Sequence, residues 1–198
     1  DEFRHLWTGA ERADSIVLNP HKWLGAPMEC SLHLVREPEL LTRTMAIKPS
    51  YLKTRGKDDV VNFSEWSVQL GRRFRALKVW FLLRFYGLDD LRQRIRNHVT
   101  WSQSLCERLR AEPNFEIVTE PILSLFTFRH TPKGVTDPDA HNLALTDAIN
   151  DDGRIYLTQT DHDGSVAIRF VTGQFDMREQ DIEIAYQAIT EIAQGLNA

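Results

Sequence analysis

The stretch Ser15–Gly25, SIVLNPHKWLG, decides how the chain is read. Ile16, Val17 and Leu18 make an apolar run with the length of a short buried strand. Asn19-Pro20 is turn chemistry that ends it. Lys22 therefore stands just past the end of a strand, between His21 and Trp23. In open α/β sheets, ligands bind beyond the carboxyl ends of the strands. A lysine in that place is expected to be partly desolvated, which favours the nucleophilic amine over the ammonium ion. The competing reading is an ordinary loop lysine, and this stretch alone leaves both open.

The bulk properties narrow the setting. The 198 residues are 42% hydrophobic and 26% charged, an ordinary folded composition. That length suits one large domain or two small ones. A net charge of −4 supplies no basic field for nucleic acid. No apolar run approaches the roughly 20 residues that span a bilayer, so no membrane partner is expected. The first residues, DEFRHLWTGAERADS, lack the basic and then apolar order of a signal peptide. Cys30 and Cys106 are too few and too far apart for a disulfide framework or a zinc pattern. The seven histidines include no helical i, i+4 pair. These features point to a reducing cytoplasm and to no metal. Without an initiator methionine, the sequence is expected to begin inside a longer chain.

Local patterns give the elements. Residues 1–12 read as a short helix packed through Phe3 and Leu6, and residues 30–37 as a second strand with Leu32, Leu34 and Cys30 on one face. Residues 45–62, broken by Pro49 and Gly56, read as a long loop, a feature usually tied to function. RRFRALKVWFLLRFYG reads as a helix with Phe74, Leu77, Phe81 and Phe85 on one stripe, ended by Gly87. A second helix spans about Asp89 to Ala111, with Leu91, Ile95, Val99, Leu105 and Leu109 inward. Beyond Pro113 the pattern changes. FEIVTE and LSLFTFRH are strands, a helix starts at His141, and RIYLTQTDHDGSVAIRFV is a hairpin turning at Asp163-Gly164. The last helix is expected to begin at Asp176, with Glu179 completing a capping box. Its inward face is Ile182, Ala185, Ile189, Ile192 and Leu196. Residues 113–198 thus form a small α+β domain.

Two further stretches bear on chemistry. Arg72, Arg73, Arg75 and Lys78 crowd into seven residues of LGRRFRALK. They suit an anion at a helix start, a nucleic-acid patch, or structural pairing with carboxylates and backbone carbonyls. Tyr51, in the long loop, is either surface decoration or a general acid delivered by a loop. His5, His98 and His130 show no partner pattern and read as structural.

ADSIVLNPHKWLG, PSYLK and QLGRRFRALKVWFLLRFYG occur in this order. Together they resemble the pyridoxal-phosphate-dependent group II amino-acid decarboxylases, the family of aromatic-L-amino-acid decarboxylase. The resemblance runs on through FEIV and VAIRFV to the last helix. It implies an α/β protein of PLP-dependent transferase fold type I, related to aspartate aminotransferase. Residues 1–87 would be the end of the large cofactor domain, 88–112 a connecting helix and 113–198 the small domain. Lys22 matches the lysine that holds the cofactor as a Schiff base. His21 matches a catalytic residue beside cofactor and substrate, Asn19 a contact to the cofactor phosphate, and Tyr51 the loop tyrosine that protonates the substrate carbon. Trp23 and Gly71 match the substrate pocket. For Arg72, Arg73 and Arg75 the resemblance favours structural pairing.

The resemblance also implies decarboxylation of an L-amino acid by a cytoplasmic homodimer. Gly71 and the lack of an extra cationic site favour an aromatic substrate: tryptophan, phenylalanine, tyrosine or dopa. The family's aspartate for the pyridine nitrogen and its ring-stacking histidine have no match here, and Asp1 and Asp14 stand in the wrong context. The upstream half of the same enzyme is therefore an expected partner. Two alternatives remain: a non-catalytic truncated or dimerising piece, and a PLP-dependent aldehyde synthase. Tyr51 speaks against the synthase, since members with that activity tend to replace it.

Overall fold

The computed structural model describes residues 2–47 and 61–196. The chain divides into two compact units, Asp1–Phe85 and Tyr86–Ala198. Most of the expected loop, including Tyr51, lies outside the described residues.

In the first unit the chain starts with two 3-10 turns, Arg4–Trp7 and Ala10–Arg12, in place of the expected helix. Gly9 separates them, and Leu6 is exposed, so nothing packs these residues into a longer helix. Strand β1 (Ser15–Leu18) pairs antiparallel with β2 (Leu32–Val35), Ile16 opposite Leu34 and Leu18 opposite Leu32. The strand is where the sequence places it, but it is not buried: Val17 is 58% exposed. The reason is architectural. This is a two-stranded ribbon, and a ribbon alone has no layer to cover its faces. On β2, Leu32 and Leu34 are likewise exposed, and only Cys30, just ahead of it, is buried. Helix α1 (Pro38–Met45) has no counterpart in the sequence-based elements. Pro38 in its first turn has a preset φ, and Glu39 suits the helix dipole.

Helix α2 (Ala76–Ala111) is broken at Gly87, which sits at φ 76° and ψ 164°. Only glycine tolerates that conformation without strain, so the expected stop is real. The helix starts at Ala76 rather than Arg72. Arg73 and Phe74 are instead taken up in tight turns, with Arg75 N donating to Arg73 O and Leu77 N to Phe74 O. The stripe of Phe74, Phe81 and Phe85 stays mostly exposed.

The second unit holds the main core. Its sheet has the order β3-β4-β6-β5, antiparallel throughout, from β3 (Phe115–Ile122), β4 (Leu125–His130), β5 (Thr158–His162) and β6 (Ser165–Val171). Pro121 lies in edge strand β3, where its missing N–H is tolerated and the register shifts. Phe126 and Phe128 of β4 are fully buried with Leu105 and Leu109 of α2, Leu145 of α3 (Pro138–Asp152) and Ile189 of α4 (Glu179–Gly195). The β5–β6 turn is Asp163-Gly164 as expected, with φ 51° and 76°, the two positive values of a type I′ turn.

Two further helix starts differ from expectation. Helix α3 begins at Pro138, where the Asp137 carboxylate caps Ala140 N at 3.0 Å. Helix α4 begins at Glu179, and the boxed acid is Asp181, which accepts from Arg178 N at 2.7 Å. Arg178 is still extended, so a start at Asp176 fails. Of its expected inward residues Ile182, Ala185 and Ile189 are buried, while Leu196 is exposed. Among the described residues no helix is long and apolar enough to cross a membrane.

Candidate active site

The link from β1 to β2 carries Asn19, His21, Lys22 and Trp23. It is built from turns. Lys22 N donates to Asn19 O at 2.9 Å, closing a β-turn with Pro20 in its second position, where the ring presets φ. Gly25 N donates to Lys22 O at 3.0 Å, and Ala26 N to Pro20 O at 2.9 Å. Lys22 is thus the shared corner of two successive turns. Pro20 and Ala26 are buried beneath it, while the lysine itself is exposed. The desolvation expected from a buried strand end is not supplied by the described residues, because β1 itself is uncovered.

The neighbours are held more tightly. His21 Nδ1 lies 2.6 Å from Cys30 O and 3.2 Å from Cys30 N. Nδ1 donates to the carbonyl in one tautomer and accepts from the N–H in the other, so in either state the Cys30 backbone anchors the imidazole. Asn19 Oδ1 accepts from Ser31 Oγ at 2.7 Å. That bond leaves the amide N–H groups of Asn19 as the donors it can offer an anion. Trp23 is half-buried beside the lysine. Gly71 is exposed, and a Cβ built there would meet nothing within 4 Å, so the described residues place no pocket wall against it.

The cation cluster resolves into structural pairs. Arg75 Nε donates to Glu29 Oε1 at 3.1 Å, and its Nη2 to the same oxygen. This bond and charge hold the Glu29 carboxyl below its usual range. Arg72 Nη1 reaches Phe63 O at 3.4 Å. Lys78 Nζ reaches three carbonyls, of Pro27, Met28 and Glu29, at 3.2, 3.0 and 3.2 Å. The cations are neighbours in sequence, but the partners of Arg75 and Lys78 lie 46 to 51 residues away, where no local pattern announces them.

Elsewhere, His130 is buried and has a partner after all. Its Nδ1 is 3.0 Å from His141 Nε2, while Asn142 bonds both its N–H and its C=O. Burial first, and the His141 charge second, push His130 down to about 4. Cys106, Glu107 and Glu120 converge as metal ligands would. Arg110 already takes both carboxylates, at 3.4 Å for Glu107 and 2.7 Å for Glu120. A groove of about 280 Å³, lined in part by Asp14, His33, Arg36, Glu37 and Leu40, contains none of the residues around Lys22.

Residues 1–131 match the family described as the pyridoxal-dependent decarboxylase conserved domain. The chain belongs to that family. It is 36% identical to a tryptophan decarboxylase of Camptotheca acuminata, across 98% of this chain and 40% of the relative. It is 35% identical to phenylacetaldehyde synthase of Arabidopsis thaliana, across 98% of this chain and 41% of the relative. The crystal structure of Oryza sativa TDC with PLP and tryptamine aligns with TM-score 0.91 and 31% identity, over 98% of this chain and 41% of that one. The chain therefore spans about 40% of the length of the curated relatives it matches. Its fold is that of the PLP-dependent decarboxylases of fold type I, and the family's cofactor is pyridoxal phosphate. The donor set here suits that group: an exposed primary amine for its aldehyde, and a fixed amide for its phosphate.

Proposed function

We propose that the protein carrying this chain decarboxylates an aromatic L-amino acid, yielding the amine and carbon dioxide. The observation that carries this reading is the accessible amine of Lys22 on two fixed turns, flanked by a backbone-anchored His21 and an oriented Asn19. Lys22 would hold the cofactor covalently, with Asn19 donating to its phosphate. When bound, the cofactor supplies an electron sink for the bond between Cα and the carboxylate. His21 would orient the substrate through Nε2. Tyr51 would deliver a proton to the α-carbon that has lost its carboxylate. Trp23 and Gly71 would border the substrate side chain.

In this reading residues 1–87 end the large cofactor domain, 88–112 connect, and 113–198 form the small domain. The assembly would be a homodimer in the cytoplasm, a setting that two buried free thiols, Cys30 and Cys106, tolerate. Similarity to an aldehyde synthase favours a second reading, in which the same substrates leave as aldehydes. Tyr51 weighs toward the amine. The test is to incubate the protein at its full natural length with cofactor and, separately, tryptophan, phenylalanine, tyrosine and dopa. Amine and carbon dioxide in equal amounts support decarboxylation, aldehyde with peroxide supports the second reading, and no product from any of the four refutes both.

A further inference from the structure

The segment Pro27–Ser31 lies between two sets of contacts. On one side, the start of α2 grips it. Lys78 has three N–H donors and meets three successive carbonyls, so the ammonium is fully satisfied by this one stretch of backbone. Arg75 adds the Glu29 carboxylate, and its own carbonyl accepts from the buried Cys30 thiol at 3.6 Å. On the other side, the next two residues hold the site. The Cys30 backbone fixes His21, and the Ser31 hydroxyl fixes Asn19.

We infer that Pro27–Ser31 is a strap that positions the cofactor-binding side chains, with Ser31 and Lys78 as its positioning residues. Neither is asked to touch the reacting atoms. Ser31 orients the Asn19 amide so that its N–H groups face the anion, and Lys78 sets the backbone from which the imidazole and the hydroxyl act. Charge-assisted bonds are the stronger ones, so Lys78 is the anchor and Ser31 the fine adjustment. The inference rests on the function proposed above.

The experiment compares Ser31→Ala, Ser31→Thr, Lys78→Met and Lys78→Arg with the parent at full natural length. It measures the pyridoxal phosphate dissociation constant by fluorescence titration, the visible band of lysine-bound cofactor, and the unfolding midpoint without cofactor. Loss of one neutral hydrogen bond predicts about 2- to 12-fold weaker binding for Ser31→Ala with an unchanged midpoint, recovered in Ser31→Thr. Loss of charged bonds predicts about 10- to 150-fold for Lys78→Met, with partial recovery in Lys78→Arg. A lowered midpoint with parental affinity and band in both Ser31→Ala and Lys78→Met would make the strap merely structural and overturn the inference. A parent that takes up no cofactor would instead overturn the function itself, and the strap's role with it.

Discussion

At the scale of single residues, Tyr51 and His130 carry separate predictions. Tyr51→Phe keeps the ring and removes the proton donor. Cofactor affinity should stay as in the parent, while amine formation slows about 10²–10⁴-fold, the usual worth of a placed general acid. Product should shift toward aldehyde. Yields of amine, aldehyde and peroxide check this, and undiminished amine assigns the proton to another group. His130 concerns stability. Its folded-state value of about 4 lies below the ordinary 6.5, so the unfolded chain binds the extra proton first. Stability is therefore full above about pH 6.5 and falls as pH drops toward 4, by on the order of 2 kcal/mol. Denaturant unfolding at pH 7 and pH 4.5 reads the difference, and His130→Phe should flatten it. Lys22, His21 and Asn19 could be proposed from the sequence because N-P-H-K is local. The bonds from Ser31, Lys78 and His141 could not, since each joins residues that only folding brings together.

At the scale of elements, periodicity located both parts of α2, the four strands of the second unit and both of its later helices. It misplaced helix starts by about three residues. The deciding groups there are Asp137 and Asp181, whose capping bonds compete with other acids close by in sequence. Helix α1 was missed because eight residues offer little periodicity. The break at Gly87 was legible because glycine is punctuation. Gly87→Ala meets no steric neighbour, so its cost is backbone strain alone, about 1–3 kcal/mol. Thermal unfolding of the variant checks this. A midpoint equal to the parent's would mean the backbone there relaxes freely. Phe128→Ala, at a fully buried site in β4, should cost about 3–5 kcal/mol by opening a cavity.

At the scale of the whole molecule, the two units differ in kind. The second is built round one core that includes the fully buried Leu105, Leu109, Phe126, Phe128, Leu145 and Ile189. The first leaves Val17, Leu34, Phe74, Phe81 and Phe85 exposed. Their apolar periodicity predicted burial, and the structure leaves them uncovered. Burial itself depends on what packs against them, which periodicity does not contain. The central claim is narrower: Lys22 is the residue that holds the cofactor. The most direct measurement is borohydride reduction of the cofactor-loaded protein at its full natural length, followed by digestion and mass spectrometry of the labelled peptide. The account predicts a single phosphopyridoxyl group on Lys22. A label on Lys48, Lys53 or Lys78, with Lys22 unmodified, would contradict it.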